Sequence, residues 1–142
     1  TAAWDQDVQA FLTANTDSAY ANLAALLAAK EAVLAKDFAK AEQQLSWAFQ
    51  HSQQAEVKAV AQLRLARVQA EQSKYTEALT TLQTDVPAAF KAQQLELKGD
   101  VLLASGDAVG AKAAYSAAKQ DNAATQNPLL DIKLNELAHV AG

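Results

Sequence analysis

The side chains best suited to chemistry in this sequence are two histidines and two aspartates. His51 and His139 lie far apart along the chain, and cysteine is absent. Asp5 and Asp7 are two positions apart, a spacing that turns side chains on a helix in different directions. Metal ligation and acid–base catalysis both require several such groups that converge on one point. We therefore expect no catalytic residues, no metal site, no cofactor and no enzymatic activity.

The glycines do not form a phosphate-binding loop. The segment Ser105-Gly106-Asp107, followed by Gly110, lacks the strand and the lysine of a P-loop. It is typical of a turn between two helices, in which Gly106 adopts a left-handed conformation and Asp107 caps the following helix.

The composition predicts the elements that carry these residues. The 142 residues include only 4 Gly and 2 Pro, and much of the 51% hydrophobic content is alanine, the best helix former. No stretch alternates in the manner of a strand, so we predict an all-α fold. The net charge of −4 and the scattered lysines argue against a nucleic-acid-binding surface. The longest apolar run, 23–29, is too short to cross a bilayer.

Apolar residues recur at helical spacing along almost the whole chain. Asn15, Asp17 and Ser18 offer side-chain oxygens that can cap the second helix, and Pro128 suits the first turn of the last one. Eight helices are predicted, at about 3–14, 18–35, 38–50, 55–72, 75–82, 87–104, 108–120 and 128–140.

An internal repeat indicates how these helices are arranged. The segments 36–41, 73–78 and 106–111 align, and each follows a long helix and begins a shorter one. Ala41 precedes Ala78 by 37 residues and Ala78 precedes Ala111 by 33, close to the period of about 34 of tetratricopeptide repeats. A large residue follows each alanine after four positions: Leu45, Leu82 and Tyr115. The preceding helices carry small residues where the two helices approach: Ala29, Ala66 and Gly99.

These features predict a tetratricopeptide-type α-solenoid, a right-handed stack of helix-turn-helix repeats with capping helices. We expect one domain over 1–142, with repeats at about 22–55, 59–91 and 92–125 and a C-terminal capping helix at about 128–140. A plain helical bundle with a coincidental alanine spacing is the alternative.

The first helices of such repeats line a concave surface, and here they carry Lys30, Arg67 and Asp100 at equivalent positions. A surface of charges and leucines suits an extended peptide or a partner helix. The predicted protein-binding groove consists of Leu26, Lys30, Leu63, Arg64, Arg67, Glu96, Leu97, Asp100 and Leu103. The alternative is a solvated face with weak ion pairs. Trp47 is either an anchor for a partner on the convex side or a residue that packs on the next repeat.

Two strings resemble a known family: Leu63-Arg64-Leu65-Ala66-Arg67-Val68-Gln69, and the segment 97–107. From about Val8 to the C-terminus, the chain is similar to the ancillary SecYEG translocon subunits of bacteria. That resemblance implies a membrane helix upstream, this domain in the periplasm, and the inner membrane as location. It further implies partners at the SecYEG translocon, among them a membrane-anchored periplasmic chaperone, and a link to envelope-stress regulation. It offers no catalytic residues.

The chain has no initiator methionine, so we expect an excised fragment of a longer protein. Trp47 stands where the family is expected to have a polar residue. A cytosolic or lipoprotein-type tetratricopeptide adaptor with a different partner remains the alternative function.

Overall fold

A computed structural model describes Gln6, Ala10 and residues 19–121 and 126–141. Apart from Gln6 and Ala10, the predicted helix at 3–14 lies outside the described residues, as do Asn15, Asp17, Ser18, Asp5 and Asp7. Residues 19–121 and 126–141 form helices that we number in chain order: α1 (Ala19–Leu34), α2 (Phe38–His51), α3 (Ala55–Glu71), α4 (Tyr75–Thr81), α5 (Ala88–Ala104), α6 (Ala108–Gln120) and α7 (Pro128–Glu136).

Consecutive helices pack on one another, and the short connections make them antiparallel neighbours. α1 pairs with α2, α3 with α4, and α5 with α6. In addition α1 contacts α3 and α3 contacts α5, so the first helices of successive pairs lie side by side and run in the same direction. This is the arrangement of a tetratricopeptide-type solenoid, and the predicted all-α fold is confirmed.

The pairs of small and large residues lie where the repeat pattern predicts them. Ala41, Ala78 and Ala111 have no exposed surface, and the large residue four positions later is buried in each case. Gly99 is also buried, and it faces Tyr115 of α6. Small side chains therefore allow the two helices of each repeat to approach closely.

The turn inside each repeat has the same backbone geometry. Its central residue is left-handed: φ is 59° at Lys36, 59° at Ser73 and 97° at Gly106. The next amide donates back to the first helix in all three, at 2.8 Å from Asp37 to Ala32, 2.9 Å from Lys74 to Gln69 and 2.8 Å from Asp107 to Leu102. This bond closes a Schellman motif, which satisfies the last carbonyl groups of the helix.

Buried polar bonds connect the second repeat with the third. The side-chain amide of Gln94 on α5 donates to Gln62 Oε1 at 3.0 Å and to the carbonyl oxygen of Thr84 at 2.7 Å. Gln62 Nε2 donates to the same carbonyl at 2.9 Å. Because buried amides are costly when unpaired, these bonds fix the position of α5 relative to α3.

Helix α7 covers the C-terminal end of the stack, and Leu130 and Leu137 pack in the same core cluster as Tyr115. The helix ends at Glu136, earlier than the predicted 140. Amides of Leu137 and Val140 instead donate to carbonyls three positions earlier, the tighter bonding of a final 3₁₀-type turn. Among the described residues, no helix combines the length and the apolar content that crossing a membrane requires.

Candidate partner-binding groove

A groove of about 580 Å³ opens between α1 and α3, above the part of α2 that lies between them. Its volume falls in the range of sites that hold small ligands or a few side chains. The lining residues come from the C-terminal halves of α1 and α3, from the turn after α1, and from α2: Ala29, Lys30, Val33, Leu34, Lys36, Phe38, Leu45, Arg64, Arg67, Val68 and Glu71.

Helical spacing explains which side chains reach this groove. Lys30 and Leu34 are four positions apart on α1, and Arg64, Arg67 and Glu71 follow one another at three and four positions on α3. Such residues share one face of a helix. Because α1 and α3 run side by side, the two faces form opposite walls of the groove.

The floor of the groove is apolar. Leu45 and Val68 are buried, and Phe38 is half-buried at the beginning of α2. At the edge, Leu34 keeps 69% of its surface exposed and Val33 keeps 39%. A partner that covers this edge therefore gains from burying apolar side chains that are in water in the free chain.

The walls of the groove are basic. Lys30, Lys36, Arg64 and Arg67 line it with a single carboxylate, that of Glu71. These four cations are exposed or solvent-facing, and none forms an ion pair within the described part of the chain. The sequence as a whole carries a net charge of −4 and has no arginine other than these two. The groove is therefore a local concentration of positive charge on an acidic protein.

Several cations outside the groove have partners. Lys74 lies 2.8 Å from Glu42, and Lys119 lies 2.8 Å from Asp131. Lys58 lies 5.5 Å from the centre of the Phe49 ring. The cations of the groove have no such partner among the residues that the structure describes, so their charges are available to a ligand.

Three residues of the predicted protein-binding groove, Lys30, Arg64 and Arg67, line the observed one. Leu63 and Leu97 do not. They are 7% and 3% exposed, in a core cluster shared by α3, α4 and α5. The expectation that they present leucine side chains to a partner is wrong, because the close contact of the second and third repeats covers that face of α3 and α5.

Glu96 and Asp100 are engaged by the capping helix. Lys133 of α7 lies 3.0 Å from Asp100 and 3.8 Å from Glu96. The hydroxyl of Tyr115 donates to Asp100 at 2.6 Å. Burial and the neighbouring Asp100 carboxylate raise the pKa of Tyr115 well above its ordinary value, so the tyrosine remains a donor. Of the three charges in the predicted line, Lys30 and Arg67 therefore line the groove, whereas Asp100 belongs to the contact with α7.

The remaining predicted residues lie outside the lining of the groove. Leu26 is half-buried against the core of the first repeat, and Leu103 is 42% exposed near the end of α5. Trp47 is half-buried and its ring stacks on His51, with 4.5 Å between ring centres. It also packs against alanines of α1, α2 and α3. This packing favours a structural contribution from Trp47.

Sequence reasoning missed Val33, Leu34, Lys36, Phe38 and Glu71. Periodicity could have found Leu34 and Glu71, which follow Lys30 and Arg67 by four positions. Lys36 had no such signal, because the turn conformation decides where its side chain lies.

Metal-binding arrangements are not seen in the segments that the structure describes. No group of three His, Asp or Glu side chains is placed to hold a metal ion there. His51 Nδ1 donates to the carbonyl oxygen of Trp47 at 2.9 Å, a local bond at the end of α2. The chemistry that the groove supports is reversible binding through charge and apolar contact.

Comparison with known proteins is in line with that chemistry. A family model described as a tetratricopeptide repeat-like domain matches residues 1–139. Among curated proteins, the chain is 34% identical over 131 residues to a Haemophilus influenzae protein named ancillary SecYEG translocon subunit, covering 92% of this chain and 64% of that protein. It is 33% identical over 126 residues to the Escherichia coli protein of that name, covering 88% and 61%.

The resemblance inferred from the sequence is thus confirmed. The chain spans about three fifths of the length of the curated relatives that it matches. No solved structure matches significantly. With its paired helices, its repeated turns and a family match over nearly its whole length, the chain belongs to the tetratricopeptide repeat-like family.

Proposed function

We propose that this chain is the protein-binding domain of an accessory subunit of the SecYEG translocon, and that the groove between α1 and α3 is its partner site. The observation that carries the proposal is the groove itself. Between the first helices of two successive repeats, it combines exposed apolar side chains with cations that form no ion pair among the described residues. The names of the relatives supply the translocon as the partner assembly.

The proposal extends to location. The proposed association with SecYEG would bring the complete protein to the inner membrane, and the resemblance supports the periplasmic side for this domain. A membrane-anchored periplasmic chaperone and a link to envelope-stress regulation belong to the same proposal. They rest on the resemblance alone, and a different partner complex is the competing possibility for the same groove.

Site-specific photocrosslinking in native membranes tests the partner site. A photoreactive amino acid at position 34, at the edge of the groove, should give crosslinks to SecYEG subunits or to a chaperone bound to them. The matched control places the same group at position 98, which is exposed on α5 and outside the groove. Equal crosslinking at both positions, or crosslinks only to proteins unrelated to secretion, would contradict the proposal.

Charge reversal gives a second test of the same site. Arg67→Glu should lose the crosslinks from position 34 while the circular dichroism spectrum stays helical. Lys98→Glu changes the net charge equally and should retain them. Arg67 is a better choice than Leu63, because substitution of the buried Leu63 would damage the core.

A further inference from the structure

We infer that the groove between α1 and α3 takes a short acidic peptide segment that also carries apolar side chains. This inference deepens the proposed function, on which it rests, by naming the chemistry of the segment that a partner inserts.

Charge complementarity selects an acidic occupant. The walls carry Lys30, Lys36, Arg64 and Arg67 against Glu71, and these cations have no counter-ions among the described residues. A basic segment would meet like charges at each of the four, whereas aspartate or glutamate side chains would pair with them. Arginine adds a planar fork of donors that can bind a carboxylate with two parallel hydrogen bonds.

The floor distinguishes a peptide from other anions. Phe38, Leu45 and Val68 form an apolar surface below the charges. A free phosphate or a lipid headgroup has no apolar side chain to place on this floor. In an extended peptide, successive side chains point to opposite sides, so one set can meet the floor while the neighbouring set reaches the walls.

The length of the groove limits the segment. From Arg64 to Glu71 the wall of α3 extends about 10 Å, at the helical rise of about 1.5 Å per residue. An extended chain covers that distance in about three residues. Glu71 stands at the end of this wall, so it opposes an acidic side chain there and fixes which end of the segment carries the negative charge.

Binding of labelled peptides to the purified 142-residue chain tests the inference. We would measure fluorescence anisotropy with three synthetic peptides: alternating glutamate and leucine, alternating lysine and leucine, and alternating glutamate and serine. The first should bind, and its affinity should fall as salt is raised, because exposed charges are screened. The other two should bind at least about tenfold more weakly, because the lysine–leucine peptide lacks the charge pairing and the glutamate–serine peptide lacks the apolar contact.

Variants then locate the site. Arg64→Glu with Arg67→Glu should abolish binding of the glutamate–leucine peptide, and Lys98→Glu should leave it unchanged. Glu71→Gln should tighten it, an effect that unfolding cannot imitate. Equal affinity for the lysine peptide, loss of binding in Lys98→Glu, or no effect of Glu71→Gln would overturn the inference.

Two other occupants are outcomes of the same experiments. The first is a membrane surface, tested by sedimentation of the chain with vesicles that contain anionic lipid. Vesicle binding that Arg67→Glu removes and that the peptide does not compete for would identify the membrane, and not a peptide, as the occupant. The second is another copy of this chain: self-association that Arg67→Glu abolishes would identify that copy as the occupant of the groove. These tests use the isolated chain and the crosslinks use native membranes. Crosslinks to SecYEG without acidic-peptide binding would therefore refute the inference and leave the proposed function standing.

Discussion

Gly99 lies directly against the ring of Tyr115, so that a Cβ at Gly99 would stand 2.5 Å from Cδ1 of that ring. No real Cβ makes so close a contact, and the ring cannot withdraw, because its hydroxyl is bonded to Asp100 and the residue is 1% exposed. The contact joins α5 to α6, the two helices of the third repeat. It explains why a helix interior tolerates glycine, which costs about 1 kcal/mol relative to alanine.

The first prediction concerns this contact. Gly99→Ala should lower the free energy of unfolding by about 1–2 kcal/mol, because overpacking outweighs the better helix propensity of alanine. Urea denaturation measures the change. In a Tyr115→Leu background, Gly99→Ala should be neutral or stabilising, because the ring is gone. An equal loss in both backgrounds would show that the contact is not the cause.

The second prediction concerns the left-handed turns. Gly106→Ala should destabilise the chain by about 1 kcal/mol, since a Cβ in this conformation meets the following carbonyl oxygen. Apart from Gly106 itself and its two chain neighbours, no heavy atom lies within 4 Å of the position that the Cβ would take, so the cost comes from the local backbone conformation and not from a clash with another part of the chain. Ser73→Gly should raise stability by about 0.5–1 kcal/mol for the same reason. Thermal unfolding of both variants measures these changes in stability. A change of the same sign for Gly106→Ala and Ser73→Gly would contradict the prediction.

These turns show what a sequence can and cannot predict about this fold. The repeat spacing and Gly106 predict the third turn. Lys36 and Ser73 give no local signal, because their residue types do not favour a left-handed backbone. Their conformation is imposed by the bonds that close the preceding helix, and it could be inferred only by alignment with Gly106.

The candidate site was predictable to a similar degree. Helical spacing brings Arg64 and Arg67 to one face of α3. Lys30 could be added to the site because it occupies the position in the first repeat that Arg67 occupies in the second. The burial of Leu63 depends on how far successive repeats rotate against each other, which residue spacing does not specify. The engagement of Asp100 depends on where α7 packs, and α7 has no equivalent in the repeats from which its position could be inferred.

A third prediction tests the small residue of the second helix. Ala111 is fully buried between α5 and α6. Ala111→Leu should therefore lower stability by about 1–3 kcal/mol through overpacking. Ala113→Leu, on the exposed side of the same helix, is the matched control and should change stability by less than about 0.5 kcal/mol. Similar melting temperatures for the two variants would contradict the assigned packing.

The fourth prediction is a pH dependence between the first two repeats. Partial burial raises the pKa of Glu42, but hydrogen bonds from Lys74, Gln72 and Gln69 lower it by more, and the pKa lies below its usual value of 4.5. A lowered pKa contributes stability that is present above 4.5 and is lost as the pH falls through the folded-state value. The advantage of the wild-type chain over Glu42→Gln should therefore shrink as the pH falls below 4.5.

Urea denaturation of both chains at a series of pH values measures this difference. Glu31→Gln, a substitution of an exposed glutamate on α1, serves as the control and should show no such trend relative to the wild type. A difference between wild type and Glu42→Gln that is constant across the acidic range would refute the role assigned to the ion pair.

Lys36 has two roles in the structure. It is the left-handed residue of the first turn, where glycine would be more stable, and it is also one of the cations that line the groove. A change to glycine would relax the backbone and remove a charge in the same step, so selection for robustness and selection for recognition oppose each other at this position. At Ser73, which carries the same conformation without a charge, no such conflict exists. Variation among natural relatives should accordingly be freer at the second turn than at the first.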